Sequence, residues 1–285
     1  MIYVSTACLK RNRISEVLKE YGENGIKNIE LSGGTEYYQD IELDLKKYKK
    51  MYDLKYACHA YFPPPKENFV VNLASCNEKI YRQSIEHYEK CIEMLDRNDI
   101  RVLSIHAGFL VEITTETIGK RVVNPIIYNE KESYARFIEA YRHMAKLCKE
   151  NNIDFYLENN VLSRENYEEF NNHNYFMMTD YASIMKMKEE LDFNLLLDLA
   201  HLYVSSHTLG FSYDEQCEKI RPYIKWLHIS ENNGIVDQHK PLVGENEIAR
   251  KLNELSKINV NITLETVGGI KDILESYSIC KRSLS

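Results

Sequence analysis

Along the chain, short runs rich in β-branched and other apolar residues alternate with longer stretches in which apolar side chains recur at helical spacing. Strands separated by helices, rather than by tight two-residue turns, make parallel βα units. Eight such runs stand out: Ile2 to Ala7, Ile26 to Leu31, Tyr56 to Phe62, Arg101 to His106, Asp154 to Leu157, Leu195 to Leu199, Ile224 to Ile229 and Val260 to Leu264. Eight is the number that closes a (β/α)8 barrel. The helical spacing is clearest in Glu78 to Leu95, Ser133 to Glu150 and Glu245 to Leu255, which predicts helices forming an outer ring.

The length of 285 residues suits one such barrel. No Ser- or Gly-rich linker or compositional break divides the chain, so residues 1–285 are read as a single α/β domain. Two segments exceed what a connection needs: Pro63-Pro64-Pro65 after the third run and Phe109 to Lys131 after the fourth. Both follow strand C-termini, the end of a barrel where active sites lie. Each is as consistent with a packed surface excursion as with contact to substrate.

Composition narrows the class. Hydrophobic residues at 44% and charged residues at 28% are those of a globular protein. No apolar run reaches the roughly 20 residues that a membrane span needs. The first strand begins at Ile2, which is read as leaving no room for a signal segment, and a cytoplasmic location is expected. Seven scattered cysteines without CxxC spacing predict reduced thiols rather than disulfides or a thiolate metal site. A net charge of −7 argues against a broad nucleic-acid-binding face but leaves a local basic groove open.

Ionisable residues accumulate at the strand ends. His59 follows the third run, His106 the fourth and Glu158 the fifth; Asp198 and His201 follow the sixth, His228 the seventh and Glu265 the eighth, with Asp237 and His239 in the loop after the seventh. An ionisable side chain at the end of a buried strand is costly unless paired, hydrogen-bonded or metal-bound. Any one of them alone reads as a structural histidine or a helix cap. Together, five histidines and four carboxylates at one barrel mouth suit Zn²⁺ or similar ions, with carboxylates able to bridge. His87, His143, His173 and His207 fall on predicted helices or loops and are read as surface residues.

These residues resemble the xylose-isomerase-like TIM barrel superfamily, which includes sugar isomerases and epimerases and the endonuclease IV family of abasic-site repair enzymes. The resemblance spans essentially the whole chain. It is carried by HAYFPPPKENFVVNLAS from His59, LENN from Leu157, DLAH from Asp198 and HISENNGIVDQHKPLVGE from His228. The sugar branch implies one divalent ion held by Glu158, Asp198, His228 and Glu265, with Glu158 and Glu265 also the catalytic acid and base. The endonuclease IV branch implies three zinc ions: one held by His59, His106 and Glu158, a second by Glu158, Asp198, His228 and Glu265, and a third by His201, Asp237 and His239.

The chain departs from the repair enzymes at several points. Their His-Pro-Gly-Ser-His type segment is His106-Ala107-Gly108-Phe109 here, their Asp-Thr-Cys-His is Asp198-Leu199-Ala200-His201, and their Asp-Arg-His is Asp237-Gln238-His239. Gln238 removes a cation, and the triple proline replaces a shorter loop that would approach DNA. The first expectation is therefore a metal-dependent isomerase or epimerase of a sugar or sugar phosphate, using one to three divalent ions, Zn²⁺ first and Mn²⁺ or Mg²⁺ next. The alternative is an abasic-site endonuclease or other phosphodiesterase with three zinc ions and a DNA partner. Glu30 in IELSGG, Tyr61 and Lys240 are the candidate substrate contacts, Glu30 being equally readable as a buried strand residue satisfied by a Lys or Arg. Tyr128, Tyr175 and Tyr203 are further mouth candidates for stacking, and Lys225 for a phosphate.

Overall fold

The computed structural model describes residues 1–244 and 246–284. Its strands are β1 (Ile2–Ser5), β2 (Asn28–Leu31), β3 (Lys55–His59), β4 (Val102–His106), β5 (Asp154–Glu158), β6 (Asn194–Asp198), β7 (Ile224–Ile229) and β8 (Asn261–Leu264). They pair in parallel, in chain order, into a closed barrel. Closure is made by β1 on β8, with Ile2 opposite Ile262 and Val4 opposite Leu264. The helices are α1 (Ile14–Glu23), α2 (Ile41–Tyr52), α3 (Glu78–Arg97), α4 (Glu130–Glu150), α5 (Arg164–Glu169), α6 (Tyr181–Glu190), α7 (Leu199–Leu209), α8 (Tyr213–Ile220), α9 (Glu247–Leu255) and α10 (Ile270–Ser283). The predicted single (β/α)8 barrel is the observed architecture; Glu245, the predicted start of α9, lies outside the described residues.

Strand side chains alternate between two faces, and here both faces are buried. One set, including Val4, Leu103, Leu157, Leu197, Leu227 and Ile262, joins the large core shared with the helices. The other set points into the barrel. Tyr3, Ala57, Leu196 and Trp226 form a separate interior cluster with Tyr156 against it. The Trp226 ring lies 5.0 Å from that of Tyr3 and 5.5 Å from that of Tyr156, strands that are not neighbours of β7, so these rings fill the barrel centre. Two positions further along the same strands come Ser5, His59, Glu158, Asp198 and His228. The period-2 alternation thus stacks an ionisable layer directly on an aromatic one.

Three strands end earlier than predicted, β1 at Ser5, β3 at His59 and β6 at Asp198, and the last two endings prepare the site. β3 stops at His59 because the chain turns, with Tyr61 in the left-handed region at φ 69°. β6 stops at Asp198 because its carboxylate accepts the His201 backbone N–H at 2.8 Å and so starts α7. Cys58 and Cys91 Sγ atoms are 3.9 Å apart, and all seven cysteines are free thiols, as expected. Among the described residues no helix is long and apolar enough to cross a membrane. His143, His173 and His207 are exposed, but His87 is not. It sits on the inner side of α3, 8% exposed, edge-on to Phe69 and Tyr88, which corrects its surface reading.

Gly108, just past β4, has no room for a side chain: a Cβ there would lie 2.5 Å from Ala74 Cβ and 3.0 Å from Phe137 Cδ2. Gly108→Ala is expected to destabilise the fold by about 1–3 kcal/mol through overpacking. An unchanged denaturant midpoint would refute this close approach.

Candidate metal centre

All nine strand-end residues meet above the interior cluster. Glu158 is central. Its Oε2 lies 3.3 Å from His59 Nε2 and 3.1 Å from His106 Nδ1, and its Oε1 lies 3.2 Å from His228 Nδ1. His228 Nδ1 is also 3.4 Å from Glu265 Oε2. Donor atoms of His59, His106 and Glu158 fall within 4.8 Å of one another, as do those of Glu158, Asp198, His228 and Glu265. On the far side Asp237 Oδ2 bridges His201 Nε2 at 3.3 Å and His239 Nε2 at 2.8 Å.

Several of these residues are anchored by one atom, which turns the other toward the cluster. His59 Nδ1 hydrogen-bonds Ser104 Oγ at 2.9 Å, and His201 Nδ1–H donates to the Asn159 carbonyl at 2.9 Å. Asp198 uses Oδ1 to cap α7, while its backbone N–H donates to Asn159 Oδ1 at 2.7 Å. The loop carrying Asp237 and His239 is closed by mutual backbone hydrogen bonds between Glu231 and Lys240, and the His239 carbonyl accepts the Val267 N–H at 2.7 Å. His239 is held at φ 47°, a conformation that a non-glycine residue adopts only when its surroundings impose it. Ser104 and Asn159 were not singled out from sequence. For Ser104 the signal was available in its inward register, two positions before His106.

Glu30 does not reach the mouth. It is fully buried beneath His228, its Oε1 3.1 Å from His228 Nε2, and its Oε2 accepts a hydrogen bond from Thr263 Oγ1 at 2.9 Å. Thr263 Oγ1 in turn accepts one from Trp226 Nε1 at 2.9 Å. The substrate-contact reading of Glu30 is therefore replaced by a supporting one, with an imidazole rather than a Lys or Arg as its partner. Orienting carboxylates of this kind fix the tautomer and raise the basicity of a ligating histidine.

A cavity of about 440 Å³ opens directly over the donors and includes Tyr61, His59, His106, His201, Asp237, His239 and Glu265 in its lining. Lys240 is exposed and outside that lining, since its backbone is used to close the loop. Tyr128, Tyr175 and Tyr203 are also outside it, as is exposed Lys225. Tyr128 bonds Ser75 and Glu112, Tyr175 packs on Phe170, and Tyr203 packs on Tyr213. The triple proline lines a different cavity, beside His87.

The chain matches the family described as xylose isomerase-like TIM barrel over residues 16–280. It belongs to that family. A D-tagatose 3-epimerase-like protein shares the fold at a TM-score of 0.74 and 20% identity, covering 99% of this chain and 96% of that one. Endonuclease IV from Thermus thermophilus shares it at 0.63 and 12%, covering 99% and 98%. An uncharacterized protein of Methanocaldococcus jannaschii is 22% identical over 244 residues, covering 84% of this chain and 81% of its own length. Proteins named for sugar chemistry and for DNA chemistry thus share this fold, and the centre of this chain must be read from its own residues.

In this member of the xylose isomerase-like family the donor set fits divalent cations. Glu158 Oε1 and Oε2, Asp198 Oδ2, His228 Nδ1 and Asp237 Oδ1 are buried without a hydrogen bond of good geometry. Unpaired buried polar atoms cost about 1–3 kcal/mol each, so a cluster of them calls for ions. The electrostatics agree. Burial pushes His59 down, and His106 down to about 4, favouring the neutral imidazole that ligates metals. Burial also works against charge on His201 and His228, but surrounding carboxylates, Asp198 and Asp237 for the first and Glu30 and Glu265 for the second, raise both well above the ordinary value. Burial opposes ionisation of Glu158 and Glu265 too, yet nearby imidazoles hold Glu158 well below the usual range and Glu265 down to about 2. Asp198 is pushed up to about 6, first by burial. The pocket therefore draws positive charge to the spots between its carboxylates.

Zn²⁺ or Mn²⁺ is expected to raise Tm by several degrees, and EDTA to reverse it, because binding to the folded state alone stabilises it. Glu30→Gln should weaken Zn²⁺ binding about 10- to 100-fold by competition with a chromophoric chelator while the fold survives. Wild-type affinity in that variant would remove Glu30 from its supporting role.

Proposed function

We propose that this chain is a metal-dependent hydrolase of phosphoesters built on a multinuclear centre. The observation that carries the reading is the sharing of Glu158 between two donor sets, with a third set around Asp237 alongside. One ion takes about four ligands of this kind. A one-ion site would leave His59, His106, His201, Asp237 and His239 with nothing to ligate.

His59, His106 and Glu158 would hold one ion, Glu158, Asp198, His228 and Glu265 a second, and His201, Asp237 and His239 a third. Zn²⁺ suits imidazole and carboxylate donors best, with Mn²⁺ and Mg²⁺ as alternatives. When bound, such ions supply positive charge to phosphoryl oxygens and lower the pKa of water. His106 and His239 keep 26% and 34% of their side chains exposed, so the rows they belong to face the substrate. Glu158 and Glu265, held ionised by the imidazoles around them, would supply negative charge to the ions. Hydrolysis consumes one water: its oxygen joins phosphorus, the bond from phosphorus to the leaving oxygen breaks, and a proton reaches that oxygen.

A second reading has its own support. Glu158, Asp198, His228 and Glu265 form a complete four-donor set on successive strands. One ion there, with Glu158 and Glu265 on either side of a ketose or sugar phosphate, would suit proton transfer between adjacent carbons, the isomerase or epimerase expectation.

Metal content per chain, measured together with turnover, separates the two. More than one ion per chain with hydrolysis of bis(4-nitrophenyl) phosphate is expected, and His239→Ala should lower kcat/KM about 100-fold. One ion per chain, no phosphoester cleavage and ketose epimerisation insensitive to His239→Ala would establish the second reading instead. Glu158→Gln should abolish turnover under either, a loss of at least about 10³-fold or ~4 kcal/mol in the barrier.

A further inference from the structure

The cavity over the donors has two unlike sides. Its floor is ionisable, but a wall is formed by Phe109, Ile113, Ile118 and Val122 of the β4–α4 connection together with Phe176. This wall is preformed. Val122 and Phe176 belong to a small apolar core with Val111, Leu162 and Phe170, and single antiparallel bridges pair Phe109 with Phe176 and Val111 with Ile127.

Three of the polar groups bordering the wall, Asn160, Asn166 and Arg121, are already committed. Asn160 Nδ2 donates to the carbonyls of Ala107, Gly108 and Met177 at 3.0–3.1 Å. Asn166 accepts the Val122 N–H at 2.8 Å through Oδ1 and donates to the Lys120 carbonyl at 3.2 Å through Nδ2. Arg121 is paired with Glu169 at 2.7 Å. Lys120 and Glu165, the remaining charged groups of this side, are exposed to solvent. A hydrocarbon group laid against the wall would gain from leaving water, whereas the hydroxyls of a polyol would find charged partners at the exposed rim, Lys120 and Glu165, rather than on the wall itself. On the other side Ala7, Gly33 and Gly34 keep the space open, and about 440 Å³ is the volume of a small-molecule site.

We infer that the cavity takes a small phosphoester carrying an alkyl or aryl substituent, with the phosphoryl group over the donors and the hydrocarbon against Phe109, Ile113, Ile118, Val122 and Phe176. This rests on the phosphoester reading above and names its substrate class. Duplex DNA, whose backbone offers sugars and further phosphates rather than a hydrocarbon group, does not match this wall. Neither does a free sugar.

The test uses the Zn²⁺- or Mn²⁺-loaded chain and the variants Ile113→Asn and Ile118→Asn; Ile118 is 41% exposed, so its replacement leaves the fold intact. Rates on bis(4-nitrophenyl) phosphate, a bis-glyceryl phosphodiester and an abasic-site duplex are compared, and binding of phenylphosphonate and glycerol phosphate is titrated by calorimetry. The aryl diester should be preferred at least about tenfold in kcat/KM. Each variant should raise its KM and weaken phenylphosphonate binding several-fold at unchanged metal content, Ile118→Asn also at unchanged Tm, while glycerol phosphate binding stays as it was. Equal binding of the two probes, wall variants that change neither KM nor phenylphosphonate binding, or a preference for the abasic duplex would overturn the inference. Absence of turnover on every phosphoester would instead sink the hydrolase reading, and wall-dependent binding of phenylphosphonate would still uphold the subsite.

Discussion

A carboxylate buried at the centre of a protein must find positive charge, and Glu158 is such a carboxylate. It is fully buried at the end of β5, with His59, His106 and His228 around it and neither oxygen in a well-formed hydrogen bond. Everything near it can be understood as provision for that charge. The neighbouring strands deliver imidazoles at matching height, and further carboxylates deliver the need for more positive charge than imidazoles supply. Removing one member of such a network exposes the rest to the full cost of buried charge.

The barrel below makes this arrangement tolerable. Its aromatic interior around Trp226 closes the centre and gives the ionisable layer a rigid floor. The same layer is tied into the floor by hydrogen bonds, from Trp226 through Thr263 to Glu30 and so to His228. Fold stability and donor placement are therefore parts of one structure: a change in interior packing displaces Thr263, and with it the carboxylate that orients His228.

The choice of chemistry lies in a different part of the molecule. Four ionisable residues at the ends of β5 to β8 could hold one ion, and five more, on β3, β4, α7 and the loop after β7, extend the same cluster. The long β4–α4 connection then adds an apolar wall beside that cluster. Its polar atoms serve its own folding, leaving hydrocarbon as the surface offered to a ligand. In this chain the barrel supplies the strand ends, and the connection borders the cavity above them.

The number of strands and the gathering of ionisable residues at their ends were legible in the sequence, because the alternation of buried and polar positions is a local property that each strand carries by itself. The strand ends were less legible. His59 and Asp198 close their strands through a left-handed turn at Tyr61 and a helix cap at His201, both set by what lies beyond the strand. Roles that depend on distance between remote segments were not legible at all. Glu30 read equally as a mouth residue or a buried strand residue, and closure placed it in the second position with an unexpected partner, His228, 198 residues away. Lys240 looked like a phosphate contact until the Glu231 pairing turned it outward, and His87 looked exposed until α3 packed it inward. Sequence by itself determined which groups the barrel carries to its mouth. Only the tertiary structure decided which share a charge, which support another and which face a ligand, because those roles are set by contacts among distant segments of the chain.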